Sequence, residues 1–509
     1  MKIFVRLIVG ALLALPYLAR GAAAQPAPPV PQPAPAPTPP PAGEAQPPPP
    51  PEQPQPPPPP EQQPPPPQPP QPPPPKPPAA APAAGDATTS VLSKLKVTVF
   101  GLIEMNHVWH STQSCQDFCS NALIQKPGTY RGEHPRTIFS ARDSRFAFKV
   151  AAPESNGIKV SGQIETDFFG PTTTTEQGVW ASPVVRFRHS YFKLETKYVD
   201  ILLGQTWNLF GWQANYFVTS VQEPGLPGQM FQRTQQIRVS KALKMGKTTL
   251  ELAIAANRPP QMDSGTPEGV AAARLLLGQR TGYHTNYVTN SSIMPASIGV
   301  SADLRKFRIA EFKAVPHSAH TRIGGGVAFD AFLPIVSATK ERKDNALAVT
   351  GELVIGRGIS DMYVALGAAG TSNAAIPAVN PGDMPGTYTP NFDPGFAAYD
   401  ATGHLELIKW TSYMVGAAYY PPGVDGRIGV FANYGHMRSA NSHKFGGAAV
   451  RDPVLGRTRK SEAFADAGLF VDLTKVVRIG LDGGVYADHY VDGTDAKNYS
   501  VETTVFLSF

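Results

Sequence analysis

The chain has 509 residues, of which 41% are hydrophobic and 17% charged, with a formal net charge of +6 and two cysteines. The excess falls after residue 90, and no basic helix or recognised nucleic-acid module accompanies it, so nucleic-acid binding is excluded as the main role. No apolar run of about 18 residues predicts a spanning helix. A membrane barrel stays open, because barrel strands expose only every second residue to lipid.

Residues 1–24 have the pattern of a secretory signal peptide. Lys2 and Arg6 precede an apolar stretch from Leu7 to Leu18, and three small residues, Ala22 to Ala24, follow as a cleavage site. The pattern predicts export.

Residues 25–90 form a proline-rich segment in which 34 of the 57 residues from Pro26 to Pro82 are proline. Proline fixes φ and lacks a donor, so we expect a disordered or polyproline II periplasmic linker. Fully extended, it would reach roughly 180 Å. It is either a spacer that contacts the peptidoglycan or an inert linker, and the residues favour neither.

From residue 91 to 509, alternating segments bounded by Gly, Pro, Asn or Asp predict about sixteen strands. They are Lys96–Trp109, Arg136–Ala151, Gly157–Phe169, Pro183–Thr196, Asp200–Asn208, Arg233–Lys241, Lys247–Ala256, Ala296–Ala302, Lys306–Lys313, Arg322–Ile335, Leu347–Arg357, Gly403–Tyr419, Arg427–Tyr434, Ala463–Asp472, Val476–Ala487 and Asn498–Phe509.

The connections between these strands alternate in length. Those after even-numbered strands are mostly short, whereas those after odd-numbered strands are mostly long, as in 110–135, 209–232, 257–295 and 358–402. Short periplasmic turns and long external loops are typical of an outer-membrane barrel. A soluble sandwich is the alternative, but it has no reason to gather long loops at one end. The fold class is therefore an all-β, transmembrane antiparallel β-barrel.

The even-numbered strands two, four and six carry basic residues on the face predicted to point inward. These residues, which we call the basic wall, are Arg145, Lys149, Arg186, Arg188 and Arg238. Ser190 shares the inward face of strand four, and Tyr191 faces outward. Arginine stays charged and suits carboxylate or phosphate groups that cross a pore. The alternative is that each is solvated or paired with a carboxylate such as Glu165 or Asp167.

Strand two also contains a misfit, since Arg142 and Ser144 fall on the outward parity. Either a bulge shifts the register there or that face packs against another subunit.

The connection after strand five, 209–232, is rich in aromatic residues and ends in a Pro/Gly-rich turn. We expect it to fold into the lumen as a constriction, which would place Glu223 opposite the basic wall. An external loop packed on its own aromatics is the alternative.

The last strand, Asn498–Phe509, places Tyr499, Val501 and Phe509 on one face and Glu502 on the other. A chain that ends on an aromatic residue in such a strand resembles the terminal strand of outer-membrane barrels, where the final Phe is part of the assembly signal.

Four further motifs, Ser144–Lys149, Gly162–Phe169, Arg188–Lys193 and Gly204–Trp207, resemble the trimeric outer-membrane porins, and most of all the DcaP-like group. The resemblance covers about residues 95–260. It implies a sixteen-stranded barrel, a homotrimer and an inward third loop, and it places Arg145, Arg188 and Arg238 on the basic ladder and Glu223 near the acid of the constriction loop. It also implies small anionic solutes such as dicarboxylates. The chain departs from the group in having a proline tract where DcaP-like proteins carry a coiled coil.

Cys115 and Cys119 lie in the first long connection, where they can form a disulfide after export. No catalytic motif, metal-ligand set or cofactor motif stands out, so we expect no enzyme, metal or cofactor. The sequence predicts a porin in the bacterial outer membrane, in contact with lipid and lipopolysaccharide. The alternative is an anchor that tethers the membrane to peptidoglycan through residues 25–90.

Overall fold

A computed structural model of the chain describes residues 94–170, 184–212, 225–260, 265–284, 292–310, 317–364, 366, 397–399, 404–444 and 458–509. The signal-peptide and linker predictions lie outside these residues. Among the described residues, no helix is long and apolar enough to cross a membrane.

Most of the described residues are in β-strands, with one short α-helix, α1 (Tyr130–Glu133), and two 3-10 helices, Ser360–Met362 and Ser442–Lys444. The first ten strands are β1 (Lys96–His110), β2 (Arg136–Ser140), β3 (Arg145–Ala151), β4 (Lys159–Asp167), β5 (Arg186–Glu195), β6 (Asp200–Trp207), β7 (Arg233–Met245), β8 (Thr248–Asn257), β9 (Glu268–His284) and β10 (Ser292–Ala310). The others are β11 (Ala319–Val336), β12 (Ala346–Arg357), β13 (Ala397–Tyr399), β14 (Leu405–Leu407), β15 (Lys409–Tyr420), β16 (Ile428–Ser439), β17 (Arg459–Asp472), β18 (Val477–Tyr490) and β19 (Asp495–Ser508).

Antiparallel pairing of neighbours closes the sheet into a barrel. β19 pairs with β1, from Leu102 opposite Ser508 to His110 opposite Ser500. The last residue is part of this seam, since the Phe509 amide donates to the Gly101 carbonyl over 3.1 Å and the Gly101 amide donates back over 3.0 Å. Closure satisfies the backbone of both edge strands, which a lipid environment requires.

The barrel has sixteen strands, as predicted, because β2 and β3 both pair with β1 as one interrupted strand and the β13–β14 hairpin stands apart. Two errors in the predicted boundaries offset each other. The prediction leaves β9 inside the connection 257–295 and divides β10 at Leu304–Arg305. β9 hides its period because Ala271, Ala272 and Ala273 put alanine on both faces.

The long connections gather at one end of the barrel. They include 111–135, 168–185, 208–232, 358–408 and 440–458, whereas 152–158, 196–199, 246–247 and 473–476 lie at the other end. The predicted alternation of long and short connections is confirmed. It is least marked on either side of β9, where the connections 258–267 and 285–291 are similar in length.

The outer surface is apolar. Ile103 and Leu304 are each 63% exposed and Ile254 is 61% exposed, and outward Val, Ile, Leu and Phe recur on nearly every strand. So large an apolar surface is the exterior of a barrel embedded in lipid. The transmembrane fold class is confirmed.

Candidate channel lumen and constriction

The inner face is polar and charged where the outer face is apolar. On β19, Asn498, Ser500 and Glu502 are buried inside the barrel, whereas Tyr499 and Val501 are 47% and 44% exposed outside. The predicted faces of this strand are confirmed. Phe506, the exception in its polar row, is buried against Leu102.

The connection after strand five, 209–232, folds into the lumen in its described parts, as predicted. Leu209 and Phe210 pack in one cluster with small inward residues of the wall formed by β8 to β11, such as Ala253 on β8 and Ala328 on β11. The Gly211 amide donates to Ser301 Oγ on β10 over 3.0 Å. The small side chains on that wall leave the space that the segment fills.

The returning half of this connection crosses to β12 and β15. The Met230 amide donates to Glu352 Oε1 over 2.6 Å, and Ser412 Oγ donates to the Gly228 carbonyl over 2.8 Å. Residues 208–212 and 225–232 therefore form a constriction held from several strands. Glu223, the predicted acid of this loop, lies outside the described residues.

Two further segments enter the lumen, and the sequence did not reveal either of them. Residues 111–126 pack on Phe464 and Tyr486, and residues 358–364 pack with Trp410. Asn121 joins all three, since its Nδ2 donates to the Val364 carbonyl over 2.9 Å and its Oδ1 accepts from the Gly228 amide over 3.1 Å. We call these three segments the constriction segments.

Two buried arginines anchor the constriction segments to the wall. Arg459 on β17 pairs with Asp488 and Glu462 over 2.7 Å each and donates to the Asn121 and Ala122 carbonyls over 2.9 and 2.7 Å. The Arg459 side chain is fully buried, so these contacts offset the loss of its hydration.

Arg305 on β10 anchors the segment 358–364 to the wall. It donates to the Gly358 carbonyl and to Asp361 Oδ1 over 2.6 Å each, and its Nε lies 2.7 Å from Glu268 Oε2. Because a loop's partner across the lumen is not encoded locally, only the assembled barrel identifies these two arginines.

Cys115 and Cys119 are joined by a disulfide in the first constriction segment, with their Cα atoms 4.9 Å apart. His110 lies beside them, and its ligand atoms and the two sulfurs fall within 4.8 Å of one another. A disulfide sulfur is not a thiolate, and the thiolate is the metal-binding form. The group therefore braces the segment; it is not a ligand set in this state.

The basic residues predicted to face inward lie on one wall of the lumen. Arg145 on β3 and Arg188 on β5 are buried inside, Arg186 and Arg238 are half-buried, and Lys149 is exposed near the short-turn end. Arg238 Nε donates to Gln236 Oε1 over 2.9 Å and its Nη2 donates to the Trp207 carbonyl.

Two of these arginines are paired with carboxylates, the alternative left open above. Arg188 lies 2.8 Å from both Glu165 Oε1 and Asp167 Oδ2, and Arg186 lies 2.6 Å from Asp167 Oδ2. Their charges are largely balanced within the wall.

A bulge in β5 reverses which side chains point inward and outward in the rest of that strand, so the predicted faces there are wrong. Glu165 pairs with His189 and Thr166 with Phe187, so Arg188 is the extra residue. Ser190 is consequently exposed outside, and Tyr191 points inward, with its hydroxyl donating to Gln163 Oε1 over 3.3 Å. The predicted sides of Ser190 and Tyr191 were wrong.

The misfit in strand two comes from a break in the strand. Residues 141–144 separate β2 from β3, and Arg142 turns inward, where its Nη1 donates to Asp117 Oδ1 over 3.2 Å. The shifted register, rather than a subunit contact, accounts for Arg142.

A second row of inward charges lies on β17, β18, β19 and β1 and on the break in strand two. This acidic wall consists of Asp466, Asp482, Glu502, Glu104 and Asp143, all buried inside the barrel. Asp482 lies directly opposite Glu502, and Asn433 Nδ2 donates to Asp466 Oδ1 over 2.7 Å. The period-two pattern of β19 marked Glu502 as inward, and the same count on β17 and β18 finds Asp466 and Asp482.

A cavity of about 610 Å³ opens at the short-turn end of the barrel. Its lining mixes charged residues, including Lys343, Asp425, Arg427, Asp472 and Arg478, with apolar ones such as Leu473 and Phe506. It forms a vestibule on the side of the lumen away from the long connections.

No protein-family model and no curated protein matches the chain. Among solved structures, the chain is similar to the outer membrane channel DcaP of Acinetobacter baumannii, at 16% identity and a TM-score of 0.56, over 82% of this chain and 98% of that one. An anion-selective porin from Comamonas acidovorans shares 12% identity at a TM-score of 0.44, over 82% of this chain and all of that one. The DcaP similarity shows the fold, and the predicted resemblance is confirmed at that level.

Proposed function

We propose that the protein is an outer-membrane porin, a water-filled channel for passive diffusion of small hydrophilic solutes. One observation carries the proposal: the closed barrel has an apolar exterior and a charged interior that a folded loop narrows. Charge inside a barrel this large serves water and solutes, since a packed core would exclude it. The proposal includes a homotrimer, which the resemblance to the trimeric outer-membrane porins implies, and no enzymatic activity.

Preference for anionic, dicarboxylate-like solutes remains a prediction of the resemblance. The basic wall supports it through Arg145, Arg238 and Lys149, which lie on one side of the lumen. The carboxylate partners of Arg186 and Arg188 and the acidic wall weaken it. Walls of opposite charge produce a transverse field that orients dipolar solutes, whatever the net preference.

Conduction is tested by reconstituting the protein in a planar bilayer and measuring single-channel current. Stepwise conductance supports the proposal, and a protein that folds and inserts without conducting refutes it. Reversal potential in a salt gradient then measures charge preference. If the basic wall dominates, Arg145→Ala, Arg188→Ala and Arg238→Ala each shift it towards cations; a cation preference unchanged in all three refutes the anion prediction.

A second candidate function is the tether through residues 25–90, which is motivated by the length of the proline tract. Peptidoglycan pull-down of the full chain is compared with a variant that lacks residues 26–82. Loss of retention on deletion supports tethering through the tract, whereas equal retention refutes it.

A further inference from the structure

Four basic side chains lie on the outer face of neighbouring strands, near the end with the long connections. Lys306 is on β10, Arg357 on β12, Lys409 on β15 and Arg438 on β16, and all four are exposed. We call them the basic rim. Lys and Arg on a lipid-facing surface are strongly destabilising at the bilayer midplane and far less so near the interface. Their presence therefore needs a partner or a position at the headgroups.

Strand register shows that the basic rim faces outward. Arg357 lies opposite Gly325, which lies opposite Leu304, an outward residue. Arg438 lies opposite Thr411, which lies opposite Ile355, a residue 54% exposed to the outside. Residues directly opposite each other in an antiparallel pair project to the same face.

Arg357 and Lys409 are directly opposite each other in the β12–β15 pair. Like charges in this position destabilise a sheet unless an anion lies between them. Within the described part of the chain, none of the four rim side chains donates a hydrogen bond to, or forms an ion pair with, another residue, and no outward carboxylate occurs on the outer halves of these strands. Among these described residues none supplies the opposite charge, and an anion of the surrounding membrane can do so.

The aromatic residues below the basic rim give its depth. Tyr413 and Tyr434 face outward with ring centroids 6.0 Å apart, and each is four residues along its strand from Lys409 or Arg438. Outward tyrosines mark the interface of a membrane barrel. Four residues of strand cover roughly 13 Å, less the effect of tilt, so the cations lie at headgroup level.

We propose that the basic rim binds the phosphate groups of the phosphorylated glycolipid in the outer leaflet, that is, the lipid A part of lipopolysaccharide. The long-connection end faces that leaflet, and Arg357 and Arg438 can donate two parallel hydrogen bonds to a phosphate. The proposal rests on the membrane placement given under Proposed function, but it does not depend on conduction.

The test uses the full chain purified in detergent and titrated with diphosphoryl lipid A, dephosphorylated lipid A or phosphatidylglycerol, with bound lipid read by native mass spectrometry. The variant K306Q/R357Q/K409Q/R438Q is compared with K475Q, which removes one exposed lysine at the opposite end of the barrel. We expect diphosphoryl lipid A to bind at least tenfold more weakly to the quadruple variant and unchanged to K475Q.

Equal binding of diphosphoryl and dephosphorylated lipid A, or of phosphatidylglycerol and lipid A, overturns the proposal, as does unchanged binding by the quadruple variant. If that variant does not fold, R357Q and K409Q are tested singly. Folding is checked by heat-modifiable gel mobility, in which a folded barrel migrates differently before and after boiling. Single-channel conductance is recorded on the same samples. Conducting protein without lipid A preference rejects the rim alone, whereas non-conducting protein rejects the channel.

Discussion

Arg459→Gln is expected to release the first constriction segment from the lumen. Arg459 is fully buried, and it connects Glu462 and Asp488 on the wall with the carbonyls of Asn121 and Ala122 on the segment. Removing one partner of a buried ion pair typically costs about 3–5 kcal/mol, and each lost hydrogen bond adds about 1 kcal/mol. Asp488 also accepts from the Ile124 amide over 2.9 Å, so we expect the lower end of that range.

The assay is single-channel recording together with thermal unfolding followed by gel mobility. We expect larger or noisier conductance, because residues 111–126 then leave the lumen part of the time, and an earlier unfolding transition. Arg478→Gln is the matched control: its Nε lies 2.5 Å from Asp472 Oδ1 at the other end of β18, away from the constriction segments. A lowered transition with conductance and noise like those of the control would refute the anchoring role.

Three further predictions concern the same lumen. Reduction of the Cys115–Cys119 disulfide is expected to increase current noise and protease sensitivity of the first segment without unfolding the barrel, because so short a closed loop contributes little to stability; unchanged noise would contradict this. Asp482→Asn removes one charge from the acidic wall and should shift the reversal potential towards anions, and no shift would place Asp482 off the ion path. Partial burial raises the pKa of Asp492, but hydrogen bonds from Lys126 and Thr494 outweigh that effect and hold the pKa below the ordinary 3.8 of an aspartate. The Lys126–Asp492 ion pair should therefore persist above about pH 4 and be lost as the pH falls further. Current noise that first rises between pH 7 and 5, or a Lys126→Gln variant with the same acid response, would contradict it.

The strands and their faces could be read from the chain because period two is a local property. Where one face meets lipid and the other water, as on β19, the alternation is written in consecutive residues. Loop parity added the barrel, since it depends only on connection length. The period-two pattern is missing from β9, where Ala271 to Ala273 leave no contrast in polarity between the two faces.

The contacts that line the lumen were harder to predict from the sequence than the strands. The bulge at Arg188 changes the face of every residue after it, and a bulge depends on how β5 pairs with β4. Whether Arg186 and Arg188 act as open charges likewise depends on Glu165 and Asp167 lying across that pair. Sequence placed all four residues inside the barrel but could not decide which of them would meet.

The sequence by itself determined a closed barrel of about sixteen strands and the wall that carries the arginines, because both follow from spacing along the chain. The aromatic residues and the Pro/Gly-rich turn of 209–232 indicated the inward connection. Only the tertiary structure decided that residues 111–126 and 358–364 also enter the lumen, held by Arg459 and Arg305. Those contacts join residues hundreds of positions apart, and no local pattern records which polar groups will be left to satisfy one another once water is displaced from the interior.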